Sequence, residues 1–262
     1  MRIQTQSPLK CVVTGIDGAG KSTTTSKVID RLQGEYRRIA KPGPSRPVYT
    51  VVNEKKTHYY SFLIKVIDFL HGLADKTQSR TLISGVNSLN VVLNGRFAEP
   101  TLTRMISPDL IIGARDFYSD PIVYSNFYFP HLAKKPIHKR IDFIRFLTGA
   151  DFRDVMFFLT VPAEEATERI ASRIAQERKN PYSSEREKWN HMHERPDILA
   201  SLQMAYFDVL HALRERAPHM YVYEIDTSSH TQEEVTDFIT ETIREHLSGR
   251  KNHIQGEWIK VN

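Results

Sequence analysis

Hydrophobic residues along this chain follow two alternating patterns. Short, nearly unbroken apolar runs occur at LKCVVTG (Leu9–Gly15), DLIIGA (109–114), DVMFFLTV (154–161) and MYVYEID (220–226). Runs of that length rich in Val, Ile and Phe predict strands buried on both faces. Between them the apolar positions recur at helical spacing: Val28, Ile29 and Leu32 after the first run, and Ala166, Ile170 and Ile174 after the third. Punctuation supports the same division. Pro162 followed by Glu164 and Glu165 suits a first helical turn, where a missing N–H is harmless and carboxylates meet the positive end of the helix dipole. Thr231 and Glu234 have the spacing of a capping box ahead of a stripe formed by Val235, Phe238, Ile239, Ile243 and Leu247. Buried strands alternating with amphipathic helices predict an α/β fold of three layers, a parallel sheet flanked by helices.

No repeat, low-complexity tract or Ser/Gly linker interrupts this alternation, so a single domain is expected over residues 1–248. The remaining residues, 249–262, have no period and read as a C-terminal tail whose Trp258 and Ile259 are candidates for docking elsewhere. Phe62, Val66, Phe69 and Leu70 predict the core face of a helix. A membrane-surface helix is the alternative there, because Lys55, Lys56 and Lys65 lie near.

Composition narrows the class of ligand. The chain has 36 Lys and Arg against 31 Asp and Glu, a net charge of +5. Spread over this length, that surplus points to small anionic ligands rather than to nucleic acid. The single cysteine, Cys11, excludes an intramolecular disulfide and a Cys-based metal site, so a reducing cytoplasm is the expected compartment. The opening MRIQTQSPLK lacks a signal-peptide pattern, and no run approaches the ~18 apolar residues of a membrane span.

The most specific chemistry lies where the first strand meets the first helix. Gly15, Ile16, Asp17, Gly18, Ala19, Gly20, Lys21 and Ser22 satisfy G-x-x-x-x-G-K-[ST], and Thr23 follows. A loop of this kind curls its backbone N–H groups around phosphate oxygens, and the helix N-terminus adds a favourable potential. Lys21 is then expected at the β- and γ-phosphates, with the Ser22 hydroxyl on Mg²⁺.

Around this loop the chain resembles the thymidylate kinase family of nucleoside monophosphate kinases, whose P-loop pairs an acidic residue with G-x-G-K-[ST], as Asp17 to Ser22 do here. Three further segments carry the resemblance in the same order. LNGRFAEP, centred on Arg96, is similar to the helix whose arginine holds the acceptor phosphate; PDLIIGARDFYSDPIVYS is similar to the strand ending in an Asp-Arg-aromatic signature. VMFFLTVPAEEATERIASR is similar to the strand, proline and helix leading into an arginine-bearing lid, here near residues 176–190. The chain departs from the family on the acceptor side. Arg115 and Asp116 invert the Asp-Arg order, KPGPS (41–45) lacks the acid of Arg-Glu-Pro-Gly, and Ser125 stands where glutamine follows Tyr124. ARDFYSD also resembles the Glu-Arg-Ser region of deoxynucleoside kinases, without the leading glutamate. The stretches 49–76 and 125–150 have no family counterpart and are candidates for the acceptor pocket.

The resemblance implies phosphoryl transfer from Mg·ATP to a small nucleotide acceptor such as dTMP, with a nucleoside or a non-nucleotide acceptor as the alternative. An ATP-binding switch without turnover is the competing class, and a homodimer is left open. Asp116, closing a buried strand, is a candidate for supporting the metal or taking the acceptor proton, or simply for capping the next turn. Arg96 and Arg115 are candidates for the acceptor phosphate or hydroxyl, against structural ion pairing. By the resemblance, Asp17 accepts a hydrogen bond from a sugar hydroxyl. Tyr124, with Tyr118, Phe127 and Tyr128, is placed where a base could stack, an aromatic core being equally expected. Arg169 and Arg173 share a helical face, with Arg178 beyond them; they are candidates for neutralising the transferring phosphoryl group. His191 and His193, two apart, fall on different helical faces and do not make a metal pair.

Overall fold

The four apolar runs lie side by side in one sheet. The computed structural model describes residues 7–42, 48–52, 57–60, 64–77, 79–115, 118–149, 152–177, 194–249 and 258–261. Strand β1 (Leu9–Gly15) is central, with β5 (Leu110–Ala114) on one side and β6 (Val155–Thr160) on the other, both parallel to it. Beyond β6 come β7 (Tyr221–Asp226) and β8 (Trp258–Val261), again parallel. Beyond β5 come β2 (Ile39–Pro42), parallel, then β3 (Val48–Val52) and β4 (Thr57–Tyr60), which turn antiparallel. Among the described residues the order is β4-β3-β2-β5-β1-β6-β7-β8, a mostly parallel sheet flanked by helices. Burial explains the apolar runs: Cys11, Val12 and Val13 of β1 and every residue of β6 from Val155 to Leu159 are almost wholly inaccessible. Strands with helices on either side have no polar face to show.

Two segments differ from the sequence expectation. The tail supplies β8, because Ile259 and Val261 find partners along the edge of β7 that no periodicity could announce. The stretch 49–76 begins as the antiparallel strands β3 and β4 before it enters helix α2 (Ile64–Thr77). On α2 the buried positions among the described side chains are Ile67 and Ala74, whereas Val66 and Phe69 are 47% and 70% exposed and Leu70 is half-buried, so the core face there is rotated from the predicted one, Phe62 lying outside the described residues. Apolar residues surround this helix, and packing against α3 (Arg80–Val92), rather than the pattern, selects which of them enter the interior.

Helix α1 (Lys21–Leu32) packs along α11 (Gln232–Leu247), with α10 being Pro196–Arg216 and α9 Ala163–Glu177. Gln232 Nε2 donates to Thr24 Oγ1 at 2.8 Å, and Lys27 and Arg31 pair with Glu233. The expected capping box opens α11: Thr231 Oγ1 accepts from the Glu234 N–H, and the Glu234 carboxylate accepts from the Thr231 N–H at 2.7 Å. The ion pairs on this seam are exposed and each contributes little; the buried Val28, Ile29, Val235 and Ile239 hold it.

At the amino ends of the strands a buried ion pair ties three elements together. Glu99, the first residue of α4 (Glu99–Ile106), accepts from Arg153 at 2.8 Å and from Lys10 of β1 at 3.0 Å, and Glu99 and Arg153 are both buried. Burial alone would push the Glu99 carboxyl up, but Arg153 and Lys10 outweigh it and hold it below the usual carboxylate value. Removing one partner leaves a desolvated charge, so Glu99→Ala is expected to lose about 3–5 kcal/mol of stability in urea unfolding. The double variant Glu99→Met with Arg153→Met is expected to recover most of that loss, since an apolar pair of similar volume carries no desolvation cost.

Candidate functional site

The loop between β1 and α1 is forced into its shape by its neighbours. A Cβ on Gly18 would stand 2.6 Å from the Ala166 carbonyl oxygen of α9, so only glycine lets the loop lie this close to that helix. Gly20 caps α1 in the left-handed region, φ 87°, which a side chain there would oppose. The first turn of α1 holds no acidic residue and its N-cap makes no side-chain hydrogen bond. The helix start therefore has no side-chain cap of its own, an arrangement that suits an anion.

The cavity, about 490 Å³, is lined by residues 17–24 of the loop and first turn, by Arg115, by Arg169 and Arg173 of α9, and by Thr227, His230 and Gln232 after β7. Among the described side chains that line it, Lys21, Arg115, Arg169 and Arg173 are cationic and Asp17 is the one carboxylate. Sitting at the carboxyl ends of parallel strands where the chain order reverses from β5 to β6, it occupies the usual ligand position of such sheets.

Lys21 is buried, and its ammonium donates to the Ile16 carbonyl at 2.6 Å and to Asp17 Oδ1 at 3.3 Å. Burial lowers its proton affinity below the usual lysine value, with Asp17 opposing. Arg115 donates to the same Asp17 oxygen. Burial on its own would raise the Asp17 carboxyl; Lys21 and Arg115 overcome it and hold the group far below the ordinary carboxylate range. Arg115 directly follows β5 with φ 107°, a left-handed backbone that is strained for a residue with a Cβ. Its N–H donates to the Val13 carbonyl at 3.1 Å and its guanidinium lies 5.7 Å from the Tyr124 ring centre. Behind it stands Asp120, 3.9 Å from the guanidinium, accepting from Thr14 Oγ1 at 3.1 Å and from the Tyr206 hydroxyl of α10 at 2.9 Å.

The two arginines of α9 differ in freedom. Arg169 donates to Thr227 Oγ1 at 3.0 Å, to the Thr227 carbonyl at 2.8 Å and to Glu165 at 2.6 Å, knitting α9 to the loop after β7. Arg173 is 47% exposed and pairs with Glu194 at 3.0 Å. Its partner Glu194 is only 10% exposed, so the pair is half-buried, with the guanidinium the more open of the two and lining the cavity.

Of the sequence candidates, Gly18, Ala19, Gly20, Lys21, Ser22, Thr23, Asp17, Arg115, Arg169 and Arg173 line this one cavity, whereas Gly15 is the last residue of β1 and is not among the lining residues. Arg96 does not: its guanidinium donates to the Leu147 carbonyl at 3.0 Å and to the Phe146 carbonyl, capping the C-terminus of α8 (Ile137–Thr148), whose orphan carbonyls attract a cation. Tyr124 is buried in the core under Arg115 and edge-on to Tyr206, so it supports the arginine rather than facing the cavity. Ser125 is buried too and accepts from Arg140 at 3.3 Å. Asp116, Arg178 and nearly all of the 176–190 lid segment lie outside the described residues. Sequence reading missed Asp120, Thr227, His230 and Gln232. The only local signal was that they follow the carboxyl ends of β5 and β7, where ligand residues gather in open parallel sheets.

No protein-family model and no curated protein matches this sequence. In fold, the chain is similar to a crystal structure of a thymidylate kinase from Ehrlichia chaffeensis, with a TM-score of 0.53 at 14% identity, over 91% of this chain and 100% of that one.

The electrostatics of Asp17 carry a pH consequence. Its folded-state proton affinity is depressed, so its contribution to stability is complete above the unfolded-state value near about pH 4 and fades as the pH falls from there. Asp17→Asn is expected to be less stable than the wild type near neutrality, with the gap narrowing when urea unfolding is repeated at about pH 3.

Proposed function

We propose that this chain is a Mg·ATP-dependent phosphotransferase acting on a small nucleotide, of which dTMP is the first to test. The observation that carries this reading is the cavity itself: a glycine-shaped loop and an uncapped helix N-terminus, with Lys21, Arg169 and Arg173 around them. Phosphoryl transfer asks little covalent chemistry of a protein; positioning and charge neutralisation do most of it.

Each residue has a part in that scheme. The N–H groups of residues 18–23 and the ammonium of Lys21 hold the donor phosphates, Lys21 exchanging Asp17 for a phosphate oxygen. Arg169, anchored on Thr227, steadies the donor side. Arg173, paired with Glu194 beside the cavity, moves to the phosphoryl group as its charge spreads in the transition state. Asp17 and Arg115 form the acceptor border, with Asp17 accepting from a sugar hydroxyl. The donor set also suits Mg²⁺, because Ser22 presents an exposed hydroxyl at the first turn of α1 beside the phosphate loop. A hard cation bound mainly by phosphate oxygens and water needs few protein ligands, and Ser22, with Asp116 as the acid after the end of β5, would hold it. When bound, Mg²⁺ offsets phosphate charge.

One observation favours a second reading. Arg96, the arginine implied for an acceptor phosphate, is engaged by the α8 carbonyls, which favours a nucleoside acceptor that carries no phosphate.

A panel of nucleosides and nucleoside monophosphates, read as ADP release above the acceptor-free rate, tests the function. A protein that binds ATP yet never exceeds that baseline would be a nucleotide-binding switch instead. Lys21→Ala is expected to abolish turnover while keeping the fold. Arg173→Ala is expected to lower kcat by about 10²-fold or more with ATP affinity little changed, whereas Arg169→Ala raises KM for ATP as well, because a fixed cation serves ground and transition states alike.

A further inference from the structure

A phosphate cradle is electropositive by construction, and a carboxylate inside it works against the ligand. Asp17 is such a carboxylate. It belongs to the loop, lines the cavity and bonds through Oδ1 to Lys21, the cation that a phosphate would need. Once a phosphate oxygen draws Lys21 away, Asp17 would stand bare beside the incoming charge. The same Oδ1 atom, however, is also held by Arg115.

Arg115 is placed for this by three independent features. Its backbone adopts φ 107°, a conformation that costs of order 1–3 kcal/mol for a residue with a Cβ and persists where surrounding structure over-determines it. Its guanidinium lies over the Tyr124 ring, at 5.7 Å. On its far side Asp120 stands 3.9 Å away, itself anchored by Thr14 and Tyr206. Arg115 thus lies between two carboxylates, one structural and one in the phosphate loop.

We propose that Arg115 is a positioning residue for the donor site: by remaining on Asp17 it neutralises the carboxylate of the phosphate loop and frees Lys21 for a polyphosphate. This rests on reading the cavity as a phosphate site. It gives Arg115 a role in donor binding through Asp17, separate from any contact with an acceptor. The charge balance is specific to this pair. With Arg115 lost, Asp17 competes for Lys21 and repels the ligand; with both lost, the loop is neutral at that point and Lys21 is unopposed.

Calorimetry with two probes, Mg·ATP and inorganic tripolyphosphate, tests the idea on wild type, D17N, R115Q and D17N/R115Q. Tripolyphosphate has no base or sugar, so it isolates the phosphate contribution. R115Q is expected to bind tripolyphosphate at least about tenfold more weakly than wild type, the scale of one charge-assisted contact, and D17N/R115Q to return to within about threefold of D17N. Loss in R115Q that Asp17→Asn does not rescue would mean that Arg115 touches the phosphate itself and would overturn the proposal. R115Q binding as well as wild type would overturn it while leaving the phosphate-site reading intact. A wild type that binds neither probe would overturn both. Should R115Q fail to fold, D17N against D17N/R115Q still decides, because neither leaves a lone carboxylate in the loop: equal affinity supports the proposal and a loss of about tenfold overturns it.

Discussion

One carboxylate oxygen, Oδ1 of Asp17, is shared by Lys21 and Arg115, and the cavity is organised around that sharing. Lys21 belongs to α1 and Arg115 follows β5, so the carboxylate joins the phosphate loop to the strand beside it. Arg115 depends in turn on Asp120, and Asp120 on Thr14 of β1 and Tyr206 of α10. A chain of charge and hydrogen bonds therefore runs from the loop through the sheet end to a helix far along the sequence. In such a partly buried setting each member is stronger than in water, and losing one member exposes the charge of the next.

The two ends of the sheet use buried charge differently. At the amino ends, Glu99, Arg153 and Lys10 form a closed set distant from the cavity, with donors and acceptors matched and the central pair sealed from solvent. Among the described residues lining the cavity at the carboxyl ends, the cations outnumber the acids, and one of them, Arg173, is paired with Glu194. The first arrangement stabilises; the second leaves a positive potential in the cavity.

The arginines illustrate why residue type alone does not assign a role. Arg96, Arg115, Arg169 and Arg173 were equivalent as cations in the sequence. In the structure one caps α8, one holds a loop carboxylate, one knits α9 to the loop after β7, and one pairs with Glu194. Each guanidinium has been assigned by the carbonyls and carboxylates that happen to lie within its reach, and these come from elements remote in sequence.

What the sequence determined by itself was whatever depends on near neighbours in the chain. Apolar runs marked β1, β5, β6 and β7, and Thr231 with Glu234 marked the start of α11. The spacing of Gly15, Gly18, Gly20, Lys21 and Ser22 marked the phosphate loop, because its shape is local. Tertiary structure decided the rest. Pairing with β7 made a strand of the tail, packing chose Ile67 and Ala74 over Val66 and Phe69, and long-range contacts brought Thr227 and Gln232 to the cavity and Asp120 behind Arg115. The physical reason is common to all of these: periodicity and capping are set within a few residues, whereas burial and charge pairing are set by whichever surface arrives from elsewhere in the chain.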